Sequence, residues 1–121
     1  MAKILVIDDE PKMRRLIVRV LTAVGHEMIE AKDGREGISL FHAHQPALLI
    51  IDILMPGKEG LETIRDLRSA ASAAPIIAIS GGDAIFLDIA KKMGADATIA
   101  KPFRTAQLVE AVSRLLAPKS S

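Results

Sequence analysis

The chain has 121 residues, half of them apolar and 26% charged, which suits one globular domain with a sizeable core. The absence of cysteine excludes disulfides, thiolate metal sites and cysteine nucleophiles, and the only aromatic residues are three phenylalanines, so the core has to be aliphatic. A net charge of +1 and a pI of about 8.1 do not give the electrostatic footprint of a DNA-binding domain.

Five short apolar runs predict five β-strands. Several of the runs are continuous rather than alternating, which is typical of strands buried on both faces of a parallel sheet. The first run is far too short for a signal peptide or a membrane span and leads directly into acidic residues, so we expect a cytoplasmic location. The runs cover residues 4–7, 28–31, 47–51, 76–79 and 97–100.

Five stretches with helical periodicity follow these runs in turn. Asp33, with Glu36 three residues later, forms a capping-box pattern at the start of the second helix. Asp83 and Thr105 are the predicted caps of the fourth and fifth helices, and Gly94 is the predicted end of the fourth. The stretches are residues 11–24, 34–44, 58–68, 83–94 and 105–117.

The first helix is predicted to have two different faces. One face carries Arg14, Arg15 and Arg19, and its simplest interpretation is a solvated basic surface. The other face is apolar and is predicted to point into the core. The apolar face consists of Met13, Ile17, Val20, Leu21 and Val24.

Strand and helix therefore alternate five times, a (βα)5 pattern that favours a three-layer α/β fold with a parallel sheet and right-handed crossovers. A closed barrel needs about 200 residues or more, so an open, doubly wound sheet is expected. Such sheets bind ligands outside the carboxyl ends of their strands, where the strand order reverses. The residues at those ends are the first candidates for a functional site.

Polar residues stand at four of the predicted strand ends. The first strand is predicted to end in Asp8 and Asp9, the third in Asp52, the fourth in Ser80 and the fifth in Lys101. If these strands are neighbours, one edge of the sheet holds three carboxylates, a hydroxyl and an ammonium group. Any one of these residues alone is commonly a turn former or a helix cap, but four matching strand ends form a specific pattern.

This set of groups favours phosphoryl transfer. Three close carboxylates repel one another and attract a cation, and Mg²⁺ suits them because it binds oxygen ligands and keeps room for phosphate oxygens. Lys101 supplies a compact positive charge and Ser80 one hydrogen-bond donor. Asp52 is then a phosphoryl acceptor of a known chemical type.

These features together resemble the receiver domain of two-component signalling, also called the response-regulator or chemotaxis-type receiver, over roughly residues 3–116. The resemblance implies the flavodoxin-like strand order 2-1-3-4-5. It also implies a bacterial phosphorelay protein that catalyses only its own phosphorylation and dephosphorylation. The segments that carry the likeness are residues 4–10, 33–34, 49–57 with Gly60, 79–80, 94–96 and 101–103.

The resemblance assigns roles to the strand-end residues. Asp52 would take a phosphoryl group from a phosphohistidine of a sensor histidine kinase or a histidine phosphotransfer protein. Ser80 and Lys101 would contact that group, and the Lys101-Pro102 peptide would be cis, a form adopted by about 5–6% of X-Pro bonds. Mg²⁺, or Mn²⁺ as a substitute, would be bound at one site. Its ligands would be Asp8, Asp9, Asp52 and the backbone carbonyl of Leu54.

The resemblance also implies how the protein acts on others. The signal would pass to an unidentified protein target by a conformational change, with no direct contact to DNA or to a membrane. The basic face of the first helix corresponds to the surface that docks kinases in the family. We expect residues 1–121 to form a single receiver domain without an output domain, with a disordered tail at 118–121, as a monomer or a weak phosphorylation-dependent homodimer.

The sequence departs from the family pattern in the residues that surround this site. Thr98 stands where the family usually has an aromatic ring that swings inward on activation. Gly82 and Leu54 offer no polar side chain to assist the hydrolysis of an aspartyl phosphate. The loop with Gly81 and Gly82 is expected to be flexible, which would let Ser80 move without the aromatic ring.

Four other functions are alternatives to a phosphoryl-accepting receiver. An aspartate-nucleophile phosphatase of the haloacid dehalogenase type needs a second Asp two residues after the first, where this chain has Leu54. A flavodoxin-like flavin protein needs a Ser/Thr/Gly-rich loop after the first strand, where this chain is acidic. A receiver excised from a longer regulator remains open, as does a receiver-like interaction module that works without phosphorylation.

Overall fold

The computed structural model describes residues 2–53, 59–70 and 73–117, and these alternate between strand and helix as predicted, with each bound within one residue. The strands are β1 (Lys3–Ile7), β2 (Glu27–Ala31), β3 (Leu48–Asp52), β4 (Ile76–Ser80) and β5 (Ala97–Ala100). The helices are α1 (Pro11–Ala23), α2 (Gly34–His44), α3 (Glu59–Ser69), α4 (Ala84–Met93) and α5 (Thr105–Leu116).

The five strands form one parallel sheet in the order β2-β1-β3-β4-β5, which confirms the predicted strand order. Alternate residues of the central strands point into two separate aliphatic cores. One core lies under α1 and α5 and includes Ile17 and Val112, and the other lies under α2, α3 and α4 and includes Ile64 and Ala90. The fold is thus the predicted three-layer, doubly wound α/β architecture.

Local polar side chains cap the first turns of α2 and α4. The Asp33 carboxylate accepts a hydrogen bond from the Glu36 amide at 2.8 Å, and the Asp83 carboxylate accepts one from the Ile85 amide at 3.2 Å, so both predicted caps are confirmed. Gly94 follows α4 with φ of 124°, a conformation that favours glycine. Within the described residues, no helix combines the length and the apolar character needed to cross a membrane.

Two local predictions at helix ends were wrong. Val24, predicted to face the core, is 50% exposed because α1 ends at Ala23 and the helical periodicity no longer orients the next residue. Thr105 is the first helical residue of α5 rather than its cap. The N-cap is Arg104, whose backbone amide donates to the Gln107 side chain at 2.9 Å.

Gly60 lets α3 pass directly over the end of β3. A Cβ atom at this position would lie 2.4 Å from Ile53 Cα and 2.7 Å from the Asp52 carbonyl oxygen, closer than side chains approach backbone atoms. The absence of a side chain at Gly60 therefore permits the contact that covers the end of the strand carrying Asp52.

Candidate functional site

The register of the sheet brings the predicted residues to one edge. Ile7 pairs with Ile51, so Asp8 and Asp52 continue neighbouring strands at the same level. Across the next ladders, Asp52 pairs with Ile79, and Ser80 pairs with Ala100. The carboxyl ends of β1, β3, β4 and β5 therefore meet where the predicted order places them.

The carboxylates of Asp8, Asp9 and Asp52 form a compact acidic cluster, with one oxygen of each within 4.8 Å of the others. Asp8 is 1% exposed and Asp52 is 5% exposed, whereas Asp9 is open to solvent. The cluster therefore combines two buried anions with one that reaches the surface.

Among the described residues, the Asp8 side chain is hydrogen-bonded through one of its two carboxylate oxygens. Its Oδ1 accepts a hydrogen bond from the Glu10 amide at 2.9 Å, whereas its buried Oδ2 has no hydrogen-bond partner among the described residues. Burial, together with the negative charges of Asp52 and Asp9, raises the pKa of Asp8 to about 6, although the Glu10 amide and Lys101 act in the opposite direction.

Lys101 supplies the positive charge of the site. Its Nζ lies 2.8 Å from Asp52 Oδ2, and both side chains are largely buried. Burial alone would lower the pKa of Lys101, but the hydrogen bond and charge of Asp52, with the charges of Asp8 and Glu10, raise it above its ordinary value. The ammonium group is therefore charged at neutral pH. The Lys101-Pro102 peptide is cis, as predicted.

Ser80 lies at the end of β4 and is 1% exposed. Its Oγ accepts a hydrogen bond from the Gly82 amide at 3.2 Å, which leaves the hydroxyl hydrogen to be donated to another group. A Cβ atom on Gly81 would come no closer than 3.4 Å to the Lys101 side chain. Gly81 therefore lies directly beside the Lys101 side chain.

The donor set fits a hard divalent cation. Carboxylate oxygens are the ligands that Mg²⁺ prefers, and the buried, unpaired Oδ2 of Asp8 is an atom that a cation would satisfy. Asp9 opens the cluster to solvent, so the cation could retain waters there. The predicted fourth ligand, the carbonyl of Leu54, lies outside the described residues.

Arg14 is the residue at this edge that the sequence did not reveal. It was predicted to lie on a solvated face with Arg15 and Arg19, but its side chain is only 17% exposed. Its Nη1 donates to the Asp8 carbonyl oxygen at 2.8 Å and its Nε to Glu30 at 3.0 Å. Nothing in the local pattern distinguishes Arg14 from Arg15, because its partner Glu30 is sixteen residues away.

Thr98, which takes the place of the family's aromatic ring, is half-buried in β5 and pairs with Ala78. It is part of the regular ladder between β4 and β5. This position therefore lies within the sheet, with β4 between it and the strand that carries Asp52.

A family model and individual related proteins both match this chain, and they indicate the same family. A family model described as the response regulator receiver domain matches residues 4–113. The chain is 34% identical over 115 residues to the response regulator MprA of Mycolicibacterium vanbaalenii, and the match covers 94% of this chain and 50% of that protein. It is 32% identical over 114 residues to a probable transcriptional regulator, ycf27, of Cyanophora paradoxa, covering 94% and 48%. The chain spans about half the length of these curated relatives.

Solved structures show the same likeness at full domain length. The chemotaxis protein CheY4 of Vibrio cholerae superposes with a TM-score of 0.88 at 28% identity, covering 96% of this chain and 99% of that one. The receiver domain of NtrX from Brucella abortus superposes with a TM-score of 0.87 at 31% identity, covering 93% and 97%. Both comparisons cover nearly the whole of the described α/β fold.

Proposed function

The chain belongs to the response regulator receiver domain family of two-component systems, and we propose that it accepts a phosphoryl group on Asp52 in a Mg²⁺-dependent reaction. The observation that carries this proposal is the juxtaposition of three carboxylates within 4.8 Å with an ammonium group 2.8 Å from the Asp52 carboxylate. This is the arrangement that an aspartate needs to act as an acceptor beside a metal ion.

In the proposed reaction, an Asp52 carboxylate oxygen attacks the phosphorus of a phosphohistidine. The new P–O bond forms as the P–N bond breaks, and the donor imidazole leaves with the electron pair as a neutral ring if its second nitrogen carries a proton. Asp8, Asp9 and Asp52 would hold Mg²⁺, or Mn²⁺ in its place, and the cation would neutralise the negative charge of the phosphoryl oxygens. The protein thus promotes only its own phosphorylation and dephosphorylation and is not an enzyme acting on a separate substrate.

Lys101 and Ser80 have complementary roles toward the phosphoryl group. Lys101 already places its charge beside Asp52, where phosphoryl oxygens would enter, and a compact ammonium group suits them. The Ser80 hydroxyl hydrogen is not used by its bond from the Gly82 amide, so it is available to a phosphoryl oxygen. Engagement of Ser80 is the conformational step that we propose as the start of the signal.

We propose the exposed face of α1 as the docking surface for the sensor kinase or phosphotransfer protein. Lys12, Arg15, Leu16 and Arg19 line a surface cavity of about 300 Å³ there, and Leu16 is 42% exposed. An apolar residue ringed by positive charges suits an acidic partner helix with an apolar stripe. The substitution Arg15→Glu should slow transfer from a histidine kinase while leaving uptake from acetyl phosphate unchanged. Equal rates from the kinase would exclude this surface.

A second possibility concerns the protein to which the domain belongs. Because the chain covers about half of relatives that are named transcriptional regulators, it would also suit the receiver part of a longer regulator. In that case the receiver would control an attached domain, and any contact with DNA would belong to that domain.

Acetyl phosphate with Mg²⁺, followed by intact-mass measurement, tests phosphoryl uptake directly. We expect one phosphoryl adduct on the wild-type chain, none on Asp52→Asn, none in EDTA, and an undiminished adduct on Thr98→Ala. The Thr98 variant is the matched control, because Thr98 lies within β5, which is separated by β4 from the strand that carries Asp52. Absence of an adduct together with absence of beryllofluoride binding would overturn the proposal and favour an interaction module that works without phosphorylation.

A further inference from the structure

Arg14 links the acidic cluster to β2, the strand that pairs with β1. Its Nη1 donates to the Asp8 carbonyl oxygen at 2.8 Å, and its Nε donates to Glu30 Oε1 on β2 at 3.0 Å. The side chain is 17% exposed, so the ion pair with Glu30 is partly shielded from water. Arg15, the next residue, is exposed and lines the outer surface of the helix.

Residues of β2 hold both the backbone amide and the backbone carbonyl of Asp8, the amide directly and the carbonyl through Arg14. The Asp8 amide donates to the Ala31 carbonyl at 3.1 Å, while its carbonyl is held by Arg14, which in turn is fixed by Glu30. Glu30 and Ala31 are consecutive residues of β2. One end of this strand therefore fixes the backbone position of Asp8 by two independent routes.

The carbonyl that Arg14 holds belongs to the peptide unit that joins Asp8 to Asp9. Because a peptide unit is planar, a rotation of its carbonyl changes ψ of Asp8 and φ of Asp9 together. These two dihedral angles contribute to where the two carboxylates point relative to each other. A hydrogen bond to this single oxygen therefore restrains the geometry of the acidic pair.

We propose that Arg14 is a positioning residue for the divalent-cation site, with Glu30 as its anchor. The inference rests on the proposed function, because it assumes that Asp8 and Asp9 bind Mg²⁺. Arg14 acts through the backbone, since its guanidinium group is bonded to the Asp8 carbonyl and to Glu30 and not to the carboxylates of the cluster. Its loss should therefore weaken cation binding without removing any ligand atom.

Titration calorimetry with MgCl₂ on the unphosphorylated protein tests this positioning role. Losing an outer partner of a metal ligand typically weakens binding by about 10-fold or more, so we expect Arg14→Ala to raise the Mg²⁺ Kd by about 10-fold. Glu30→Ala keeps the arginine but frees its anchor, and we expect a smaller rise of about threefold. Arg65→Ala removes the same charge from an exposed position on α3 and should leave the Kd within about twofold of wild type.

A purely structural role would give a different result. In that case Arg14→Ala would lower the free energy of unfolding in EDTA and leave the Mg²⁺ Kd unchanged, which would overturn the proposal. A Kd that rises equally in Arg65→Ala would also overturn it, because the effect would then be one of net charge. If Arg14→Ala does not fold, the exposed Glu30→Ala variant decides, and an unchanged Kd there contradicts the proposal.

The same titration separates this inference from the proposed function. A wild-type chain that binds Mg²⁺ but takes no phosphoryl group from acetyl phosphate would refute the function and still test Arg14 by its Kd. A wild-type chain that does not bind Mg²⁺ would refute the positioning role itself.

Discussion

The substitution Asp8→Asn should stabilise the metal-free protein at neutral pH. Asp8 is a buried carboxylate with one unpaired oxygen, placed beside two other carboxylates. Asparagine removes the negative charge but keeps an oxygen that can accept the hydrogen bond from the Glu10 amide. We therefore expect the charge of Asp8 to destabilise the metal-free fold and to be useful only to the proposed cation.

The size of that cost follows from the pKa of Asp8, which burial and the charges of Asp52 and Asp9 raise from 3.8 to about 6. At about 1.4 kcal/mol for each pH unit, full ionisation in the folded state costs about 3 kcal/mol. Between pH 4 and pH 6 the native state holds a proton that the unfolded chain has released, so the free energy of unfolding falls as pH rises through this range. Below it both states are protonated and the cost disappears.

Urea unfolding in EDTA at several pH values between 4 and 8 measures this effect. Solvent screening on the open side of the cluster lowers this figure, so we expect the free energy of unfolding of Asp8→Asn to exceed that of wild type by about 2 kcal/mol at pH 7.5 and to match it near pH 4. Asp88→Asn, which makes the same charge change at an exposed position on α4, is the control and should differ little from wild type at any pH. Added Mg²⁺ should stabilise the wild type more than Asp8→Asn, because the cation binds only the folded cluster.

The reasoning would be refuted by an Asp8→Asn variant that is no more stable than wild type at pH 7.5 in EDTA. A gain that is the same at pH 4 and pH 7.5 would also refute it, because the effect could not then come from ionisation of Asp8.

Three further predictions concern the packing and the charges of the fold. Lys101→Ala leaves the buried Asp52 carboxylate without its ammonium partner and should lower the free energy of unfolding by about 2 kcal/mol in EDTA, with part of the loss recovered by Mg²⁺; a more stable variant would contradict this. Gly60→Ala places a Cβ atom against backbone and should cost about 2 kcal/mol or more in urea unfolding, whereas Gly81→Ala, with no contact under 3.4 Å, should cost less than about 1 kcal/mol. Arg68→Ala removes hydrogen bonds to two backbone carbonyls and an ion pair, and should lower the free energy of urea unfolding by about 2–3 kcal/mol without changing the Mg²⁺ Kd.

The fold was predictable because its main signals are local and repeated. Continuous apolar runs separated by helical periodicity gave the strands and helices, and the observed bounds differ by no more than one residue. Asp52 and Ser80 end their strands as predicted, whereas Asp8 and Lys101 lie one residue beyond β1 and β5. Val24 was misplaced because periodicity cannot show where a helix stops.

The candidate site divides into parts that sequence could and could not predict. Strand-end residues are predictable because a parallel sheet brings the carboxyl ends of its strands to one edge, independently of the conformation of the loops. The bonds of Arg14 depend on which neighbouring element lies within reach of a long side chain, and its partner Glu30 is on another strand. The same applies to Arg68, which bonds to Asp96 across the fold.

The structure also explains why phosphoryl uptake and signal transmission are separate questions for this chain. Asp52, Ser80 and Lys101 are brought together by backbone register at the ends of three neighbouring strands, and that register does not require a particular side chain at residue 98. Thr98 pairs with Ala78 in the ladder and has too little volume to act as the family's moving ring. We propose that the signal starts instead with a movement of Ser80, whose Oγ accepts a hydrogen bond from the Gly82 amide in a glycine-rich loop. The chain thus keeps the residues of the proposed acceptor site, and the proposed link to a partner runs through β4 and the loop that follows it.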